Sequence, residues 1–504
     1  MGKLFKVNDN LFYARNDFVK KNTFIGAEPQ NEELPVYDEI KGQLPKPVWD
    51  GHDDAVKCYD RTWQLAFGNL RKANPEAGFV SNFIDTAFNG YLFMWDSAFI
   101  VMFGKYASRI FDFQRTLDNM YSHQHQDGFI CREICERESG EQFTRDDPAS
   151  TGPNVMPWSE WEYFLSTGNT ERLSRVFDPL CAYHRWLQLN RSWPDGSYWS
   201  CGLACGMDNQ PRLDLGYNHE LSHGFMSWID TCAQQYLSAK ILIKMAQVLG
   251  REDEVQWLKD ETVLLSNTVN NTMWSEKDGF YYDKRRDGTL SDFKTVGAYW
   301  TLIADMVPED RIDRFVAHLD NENEFKRPNR VPTIPKDNPH YNPSTGGYWN
   351  GGVWAPTNYM VLCGLKDHGY NRLAFEIARD YLNNVVEVFN ETGTVFENYC
   401  PERAAKGDAK SDFVGWTGLA PISIMFEYVF GIRPDAQNKK ITWYVNLTDR
   451  HGIMQYPLGD ATVDIICEAR ASENEKPIIT VKSDKPVTVE VIWNGQSEII
   501  NAKA

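Results

Sequence analysis

Long apolar runs and an excess of basic charge are both missing from this 504-residue sequence. No stretch approaches the roughly 18 to 20 apolar residues that span a bilayer, and the start MGKLFKVNDN lacks the apolar core of a secretory signal. The formal net charge is −18, whereas nucleic acid binding needs clustered Lys and Arg. We therefore expect neither a membrane nor a nucleic acid as a partner. A soluble chain is predicted, cytoplasmic or exported with a signal peptide absent from this sequence, and its oligomeric state is left open.

The ten cysteines do not have the spacing of a metal site. The close pairs, Cys131 with Cys135 and Cys201 with Cys205, lack both CxxC spacing and a second half that would complete a zinc site. A D-x-D-x-D-G calcium loop is also missing, although so acidic a chain has the charge to hold a structural calcium ion. We predict mostly buried thiols and no cofactor.

Aromatic residues are what the sequence has in abundance, with 17 Trp, 23 Tyr and 28 Phe. Hydrophobic residues make up 42% of the chain and charged residues 24%, a balance that is typical of a globular protein. Aromatic rings mostly form core, but Trp also stacks on the apolar faces of sugar rings. The composition is compatible with a carbohydrate ligand and does not by itself distinguish that ligand from an aromatic core.

From about residue 55 to 430, apolar residues recur at helical spacing in twelve segments of similar length. The segments lie near 55–72, 96–106, 108–124, 157–166, 170–190, 220–249, 252–272, 293–305, 308–318, 351–366, 370–387 and 415–430. Short joints such as STGNTERL alternate with connections of more than fifteen residues, and long loops in a compact domain are usually functional. The pattern predicts six helical hairpins.

Six hairpins can close into a double ring of helices with all the long loops at one end. The alternative is an open helical solenoid, but the sequence has no fixed-period repeat. We therefore predict a mainly α fold, an (α/α)6 barrel over residues 55–435. Residues 1–54 are broken by prolines and predict an N-terminal arm or small β or irregular segment, and residues 436–504 carry strand patterns that predict a small β-rich appendage.

Two carboxyl groups in the long loops are candidates for acid and base chemistry. Cleaving a glycosidic bond needs one carboxylic acid to protonate the leaving oxygen and one carboxylate to activate water or attack carbon. Asp208 lies in GMDNQPR, where Gly206 and Pro211 restrict the backbone and Arg212 is available to orient a carboxylate or a sugar hydroxyl. Glu397 lies in GTVFENY between aromatic residues that would shelter a carboxyl group. An Asp that caps a turn and an exposed loop Glu are the ordinary alternatives.

The motifs of the long loops occur in an order that resembles glycoside hydrolase family 63. They are WD near residue 95, GFICRE near 130, GMDNQPR near 206, HGFMSWID near 223, YWNGGVWAP near 348, VFENY near 395 and FVGWTGLAPI near 413. That family includes processing α-glucosidase I and bacterial mannosylglycerate and glucosylglycerate hydrolases, and it shares a clan with the trehalases. The resemblance implies an (α/α)6 barrel and hydrolysis, with inversion, of a terminal α-linked sugar, an α-glucoside first, with Asp208 as general acid and Glu397 as general base.

The same resemblance implies a sugar pocket and shows where this chain departs from the family. The pocket positions are Tyr91, Trp95, Asp96, Arg132, Glu133, Trp349, Trp354 and Trp416. Many members have Arg where this chain has Asn350 in YWNGGVW, and ERESGEQFTRDDPAS differs from the shorter Pro-rich loop that we expect there. Asn350 is kept as a pocket residue, and the substrate and leaving group are not inherited from the family.

Three alternatives remain beside hydrolysis. His219 to His223 reads HELSH and fits the zinc motif H-E-x-x-H, but a third ligand at a convincing spacing is missing and the preceding sequence resembles a loop. A sugar epimerase or lyase on the same barrel would rely on His or Tyr, and the His residues do not cluster in the long loops. A non-catalytic carbohydrate-binding protein suits the many Trp but has no use for paired carboxyl groups.

Overall fold

The computed structural model describes residues 16–85 and 89–503. The first fifteen residues of the predicted arm and Phe88 of the stretch FNGYLFMWDSAF lie outside the described residues. In chain order the α-helices of the described ranges are α1 (Tyr37–Ile40), α2 (Asp53–Gly68), α3 (Met94–Gly104), α4 (Asp118–Ser122), α5 (Met156–Thr167), α6 (Thr170–Asn190), α7 (Gly202–Cys205), α8 (Ile229–Leu249), α9 (Gln256–Thr272), α10 (Trp300–Ile303), α11 (Glu309–Ala317), α12 (Ala355–Asp367) and α13 (Asn371–Thr392). A π-helix follows over Ala420–Val429.

The predicted hairpin joints are tight because their residues suit helix ends. At STGNTERL, Gly168 adopts the left-handed conformation that closes α5, with φ of 68°. The side chain of Asn169 then accepts the Arg172 N–H at 2.9 Å and caps α6. Gly250 ends α8 in the same way before α9. These local signals turn the chain between antiparallel neighbours.

All twelve predicted segments contain helical backbone, but several differ from the expectation. The segments 108–124 and 293–305 each begin with a 3-10 turn, and 415–430 is a 3-10 turn followed by the π-helix. The segment predicted at 220–249 becomes helical only at Ile229, because Gly224 and Phe225 have positive φ values and interrupt the chain before it. Asp283 Oδ1 accepts the Ile229 N–H at 2.8 Å and so caps α8 from a distant segment.

The helices form two layers. In the inner layer α3 contacts α5, α5 contacts α8, α8 contacts α10, α10 contacts α12, and α12 contacts the turn Trp416–Leu419, which returns to α3. Every residue of α3 is buried, as expected for a helix surrounded on all sides, whereas α13 buries only one face. Helices α2, α6, α9 and α13 pack against members of this inner layer or against each other. The fold is therefore mainly α with a few sheets, as predicted.

The described strands form five sheets, one of which joins the two ends of the chain. The strands are β1 (Lys46–Trp49), β2 (Leu70–Arg71), β3 (Phe83–Ile84), β4 (Tyr91–Phe93), β5 (Glu133–Cys135), β6 (Trp274–Ser275), β7 (Phe280–Tyr281), β8 (Ile432–Asp435), β9 (Lys440–Tyr444), β10 (His451–Leu458), β11 (Ala461–Cys467), β12 (Ile479–Ser483), β13 (Val487–Trp493) and β14 (Gln496–Ala502). Two sheets have four strands each, in the orders β1-β10-β11-β12 and β14-β13-β9-β8. Strand β1 pairs antiparallel with β10, so the N-terminal arm contributes a strand to the C-terminal β region.

Two further expectations can be compared with the structure. All ten cysteines are buried and free, which confirms that prediction. In the described ranges, no helix is both long and apolar enough to cross a membrane.

Candidate active site

The long loops converge on one cavity of about 200 Å³. Eight of the predicted site residues line it, namely Trp95, Asp96, Arg132, Glu133, Asp208, Trp349, Glu397 and Trp416. They come from segments as far apart in the sequence as Trp95 and Trp416, and the two-layered helices bring those segments together. The volume lies below the roughly 300 to 1,000 Å³ of pockets for drug-sized ligands, which suits one monosaccharide unit.

Asp208 reaches the cavity from the loop that follows the short helix α7. Gly206 ends that helix with φ of 78°, and a Cβ atom there would lie 2.9 Å from the Trp95 ring. A Cβ at Gly202 would lie 2.2 Å from the Asp208 carbonyl oxygen. Both positions therefore require glycine. The packing of bare backbone against Trp95 and the Asp208 loop fixes where the carboxyl group enters the cavity.

Burial raises the pKa of Asp208 to about 7, with Arg132 opposing the shift and Glu133 adding to it. The Asp208 carboxyl group is therefore about half protonated at neutral pH, which is the state that a general acid needs. Arg132 itself is held in place because its Nη2 pairs with Glu133 at 2.5 Å and its Nε donates to the Ala149 carbonyl at 2.7 Å. Burial likewise raises the pKa of Glu133, against the effect of Arg132.

Glu397 faces the same cavity and is 8% exposed. The Tyr348 hydroxyl donates to Glu397 Oε1 at 2.9 Å, and the Lys410 N–H donates to Oε2 at 3.4 Å. Burial raises the pKa of Glu397, and these two hydrogen bonds oppose the rise by stabilising the carboxylate. The Trp416 indole N–H donates to the Glu397 carbonyl at 3.0 Å and so holds the backbone beside the pocket wall.

A further carboxyl group, that of Asp96, lies at the N-terminal end of α3 in the same cavity. Burial and the neighbouring carboxyl groups of Glu397 and Asp208 raise its pKa well above the usual range. With Glu133, four acidic groups line this small cavity, and they cannot all ionise at neutral pH without strong repulsion. The site therefore combines protonated and ionised carboxyl groups, which is what acid and base catalysis of bond cleavage requires.

Residues 90–417 match the family described as the mannosylglycerate hydrolase MGH1-like glycoside hydrolase domain. This chain belongs to that glycoside hydrolase family. The matched span covers well over half of the chain and contains every predicted site residue. The similarity places the chain in glycoside hydrolase family 63, as the order of its motifs predicts, and confirms the prediction of a glycoside hydrolase.

Relatives of this family 63 chain include two curated enzymes. A probable mannosyl-oligosaccharide glucosidase of Schizosaccharomyces pombe is 26% identical over 348 residues, which are 64% of this chain and 40% of that protein. A mannosylglycerate hydrolase of Thermus thermophilus is 22% identical over 58% of this chain and 85% of its own length. This chain thus spans less than half of the yeast protein.

Among solved structures, the family 63 mannosylglycerate hydrolase of Thermus thermophilus in complex with glucose has a TM-score of 0.59 to this chain. Its sequence is 20% identical, and the match covers 72% of this chain and 99% of that one. At this level of identity the likeness shows a shared fold.

Four of the predicted site residues, Arg212, Trp354, Asn350 and Tyr91, are not among the residues that line the described cavity. Arg212 is fully buried between Asp230 and Asp283, with Nη1 to Asp230 Oδ2 at 2.5 Å and Nη2 to Asp283 Oδ1 at 2.7 Å. Both side-chain ends of its guanidinium pair with carboxylates that do not line the cavity, so Arg212 orients carboxylates beside the site and not within it. Arg212 instead ties the Asp208 loop to the start of α8.

Of Trp354, Asn350 and Tyr91, only Trp354 packs directly on a residue of the cavity wall. Trp354 is fully buried and stacks on Trp349 with centroids 3.7 Å apart. Asn350 donates to the Gly347 carbonyl at 3.3 Å within its own loop, and Tyr91 pairs with Cys135 between β4 and β5. The expected direct pocket contact is not found for any of the three.

Some cavity residues were missed by the sequence analysis, above all Tyr348 and Lys410. Tyr348 stands in the YWNGGVW motif directly before Trp349, so the motif itself carried the signal. Nothing in the local sequence marks Lys410, because its approach to Glu397 depends on how two loop strands meet.

The metal alternative has no support in the part of the chain that the structure describes. HELSH lies in turns ahead of α8, so His219 and His223 do not stand on adjacent turns of a helix. No group of three or more His, Cys, Asp or Glu among the described residues has the arrangement of a metal site. The comparisons also do not favour an epimerase, a lyase or a non-catalytic binding protein.

Proposed function

We propose that this glycoside hydrolase removes one terminal α-linked sugar from an oligosaccharide or small glycoside with inversion of configuration. An α-glucoside is the first candidate substrate. The observation that carries the proposal is a cavity of about 200 Å³ that two carboxyl groups from separate loops enter, Asp208 with a pKa of about 7 and Glu397 with hydrogen bonds to its carboxylate. A cavity that holds one sugar unit favours attack on a chain end.

In this mechanism Asp208 is the general acid and Glu397 the general base. The bond between the anomeric carbon and the glycosidic oxygen breaks as that oxygen takes the Asp208 proton. A water molecule on the opposite face adds to the anomeric carbon and gives its proton to Glu397. The leaving group departs as an alcohol, and the sugar is released as the β anomer. No cofactor takes part in these proton transfers.

The other charged groups of the cavity bind and orient the sugar. Asp96, whose pKa burial and two neighbouring carboxyl groups raise, stays protonated and donates a hydrogen bond to a sugar hydroxyl. Arg132, fixed by Glu133 and Ala149, also lines the cavity and donates to the sugar. Trp95, Trp349 and Trp416 offer apolar faces against the ring.

We also propose that the two layers of helices form an (α/α)6 barrel, with the cavity at the end where the long loops meet. The cyclic contacts among α3, α5, α8, α10, α12 and the turn Trp416–Leu419 support this arrangement. The glycerate-containing substrate in the name of the Thermus thermophilus enzyme adds mannosylglycerate to the substrates worth testing.

The test uses Asp208→Asn and Glu397→Gln, which preserve shape and remove the proton donor or the base. Each variant should lose at least about 100-fold in kcat on an α-glucoside, since each group acts in the transition state. Glucosides and mannosylglycerate are screened first, with the matching β-glucoside as a control that should not react. Proton NMR of the first product should show the β anomer. Near-normal turnover in either variant, or an α product, would overturn the proposal.

A further inference from the structure

One side chain joins the loop that carries the proposed acid to the loop that holds the proposed base. Asn209 directly follows Asp208, and its Nδ2 donates to the Gly347 carbonyl at 3.1 Å. Its Oδ1 accepts the Trp349 N–H at 3.0 Å. Asn209 therefore contacts the backbone on both sides of Tyr348 and uses its amide nitrogen and oxygen to do so.

Tyr348 completes the connection to Glu397. Its hydroxyl donates to Glu397 Oε1 at 2.9 Å, while its backbone has φ of 64°, in the left-handed region that non-glycine residues rarely adopt. The Trp354 indole N–H donates to the Tyr348 carbonyl at 3.1 Å. A Cβ at Gly352 would lie 2.2 Å from that same carbonyl oxygen, so glycine is needed there. The surrounding loop is built to hold Tyr348 in an unfavourable conformation, and such strain persists where a function requires it.

We infer that Asn209 and Tyr348 are positioning residues that together hold the Glu397 carboxylate at a fixed place relative to Asp208. This inference rests on the proposed function, because it assigns the two residues to the acid and base of that mechanism. An inverting hydrolase needs its two carboxyl groups at a defined separation that leaves room for one water molecule. The two hydrogen bonds of the Asn209 amide and the one from the Tyr348 hydroxyl connect the Asp208 loop to the Glu397 carboxylate.

The charged and titratable groups around Glu397 determine its pKa, so loss of the Tyr348 hydrogen bond should be measurable as a shift in that pKa. Asp96 and Asp208 face Glu397 and repel its negative charge, whereas Tyr348 and Lys410 stabilise that charge. The Tyr348 hydroxyl keeps its proton because burial and these carboxyl groups raise its pKa well above the usual range. Removal of the hydroxyl should therefore raise the pKa of Glu397, so that the base is protonated at a pH where it is normally ionised.

The first test compares Tyr348→Phe with Tyr341→Phe. Tyr341 is the matched control because its hydroxyl also donates to a glutamate, Glu402 Oε1 at 2.7 Å, from the same loop but outside the cavity. In Tyr348→Phe the acidic limb of kcat/KM against pH should move up by about one pH unit, the size expected for one hydrogen bond to a carboxylate. The value of kcat should fall while KM changes little. Tyr341→Phe should leave the limb in place.

The second test is a double-mutant cycle with Asn209→Ala. The single variant should lower kcat by roughly 10- to 100-fold, as small misplacements of catalytic groups do. If both residues act through the same connection, the double variant should be little worse than Tyr348→Phe alone. Multiplicative effects in the cycle would overturn the inference. Asn209→Ala alone still carries the test if Tyr348→Phe does not fold, since its acidic limb should also move up.

Failure of this inference differs from failure of the proposed function. If Glu397→Gln keeps its turnover, the base is wrongly assigned and both proposals fall. If Glu397→Gln is inactive but Tyr348→Phe has the same acidic limb as Tyr341→Phe, only the positioning role is overturned.

Discussion

Burial of Asp208 has two opposing effects. It raises the pKa, which suits a proton donor, and it lowers the free energy of unfolding when the carboxyl group is ionised. Burial raises its pKa to about 7 in the folded protein, from the ordinary value of 3.8 that it has in the unfolded chain. Between those values the folded state binds more protons than the unfolded state, so the free energy of unfolding falls as pH rises from about 4 to about 7. Below about pH 4 both states are protonated and the loss disappears.

Substitution of this acid should therefore stabilise the protein in a pH-dependent way. Asp208→Asn removes the buried charge, so its Tm should exceed that of the unmodified protein at pH 8 and match it at pH 4. Asp253→Asn, at an exposed position, serves as the control and should not change with pH in this manner. Differential scanning calorimetry at the two pH values makes the comparison. An equal Tm difference at both pH values would mean that folding does not raise the pKa of Asp208.

Arg212 shows what a motif can and cannot predict about a single residue. The motif GMDNQPR predicted that a cation stands near Asp208, and it does stand in that loop. Its partners Asp230 and Asp283 lie 18 and 71 residues away in the sequence, so nothing local indicated that they would neutralise the charge. By contrast Trp95, Asp96 and Arg132 line the cavity at the positions that the motif order predicts. Order along the chain identified the loops, and packing decided which side chains face inward.

At the scale of elements, Gly206 both ends helix α7 and packs against Trp95 in the wall of the cavity. Gly206 and Gly250 both end helices with positive φ, at 78° and 66°. Only Gly206 touches the pocket, where a Cβ would lie 2.9 Å from Trp95, while nothing lies within 4 Å of a Cβ at Gly250. Alanine at Gly250 therefore measures the free-energy cost of the positive φ alone, whereas alanine at Gly206 adds the cost of the steric clash with Trp95.

Gly250→Ala should lower the free energy of unfolding by about 1 kcal/mol, the ordinary cost of a non-glycine residue in this conformation, and leave kcat/KM unchanged. Gly206→Ala should be destabilised further and should lose at least about tenfold in kcat/KM, because Trp95 and the Asp208 loop must move apart. Urea unfolding and steady-state kinetics on both variants test this. Equal activity in the two variants would show that the contact with Trp95 is not needed.

Hydrophobic periodicity predicted which segments are helical better than it predicted the kind of helix. The sequence APISIMFEYV forms a π-helix in which every residue is buried, and its apolar pattern does not distinguish this helix from the equally buried α-helix α3. The start of α8 depends on the Asp283 carboxylate from a distant segment. Such tertiary caps leave no trace in the local sequence.

At the scale of the whole molecule, the pairing of β1 with β10 joins segments about four hundred residues apart. Lys46 pairs with Met454 and Trp49 with His451. Strand periodicity predicted strands in residues 436–504, whereas residues 1–54 were predicted as an arm or a small β or irregular segment. Neither pattern predicts that the two flanks share a sheet, because periodicity is a local property while pairing depends on the path of the whole chain. The hydrophobic core is also continuous, since one cluster runs from Trp49 and Trp63 to Val491.

Trp49 is the residue at which this connection can be tested. It is 3% exposed, stacks on His52 at 3.9 Å and meets the edge of Phe430 at 5.4 Å, so it bridges β1 and the end of the π-helix. Trp49→Ala should cost about 3 to 5 kcal/mol in free energy of unfolding, whereas Ile478→Ala, at a residue that is 67% exposed, should cost less than about 0.5 kcal/mol. Because Trp49 does not line the cavity, the folded variant should keep a normal kcat/KM.

Circular dichroism and activity, followed together in urea, should be lost in one coincident transition that shifts to lower urea in Trp49→Ala. If ellipticity from the β region is lost well before activity, the arm and the C-terminal sheets would form a unit that unfolds separately from the helices, and the continuous core would not make the molecule cooperative.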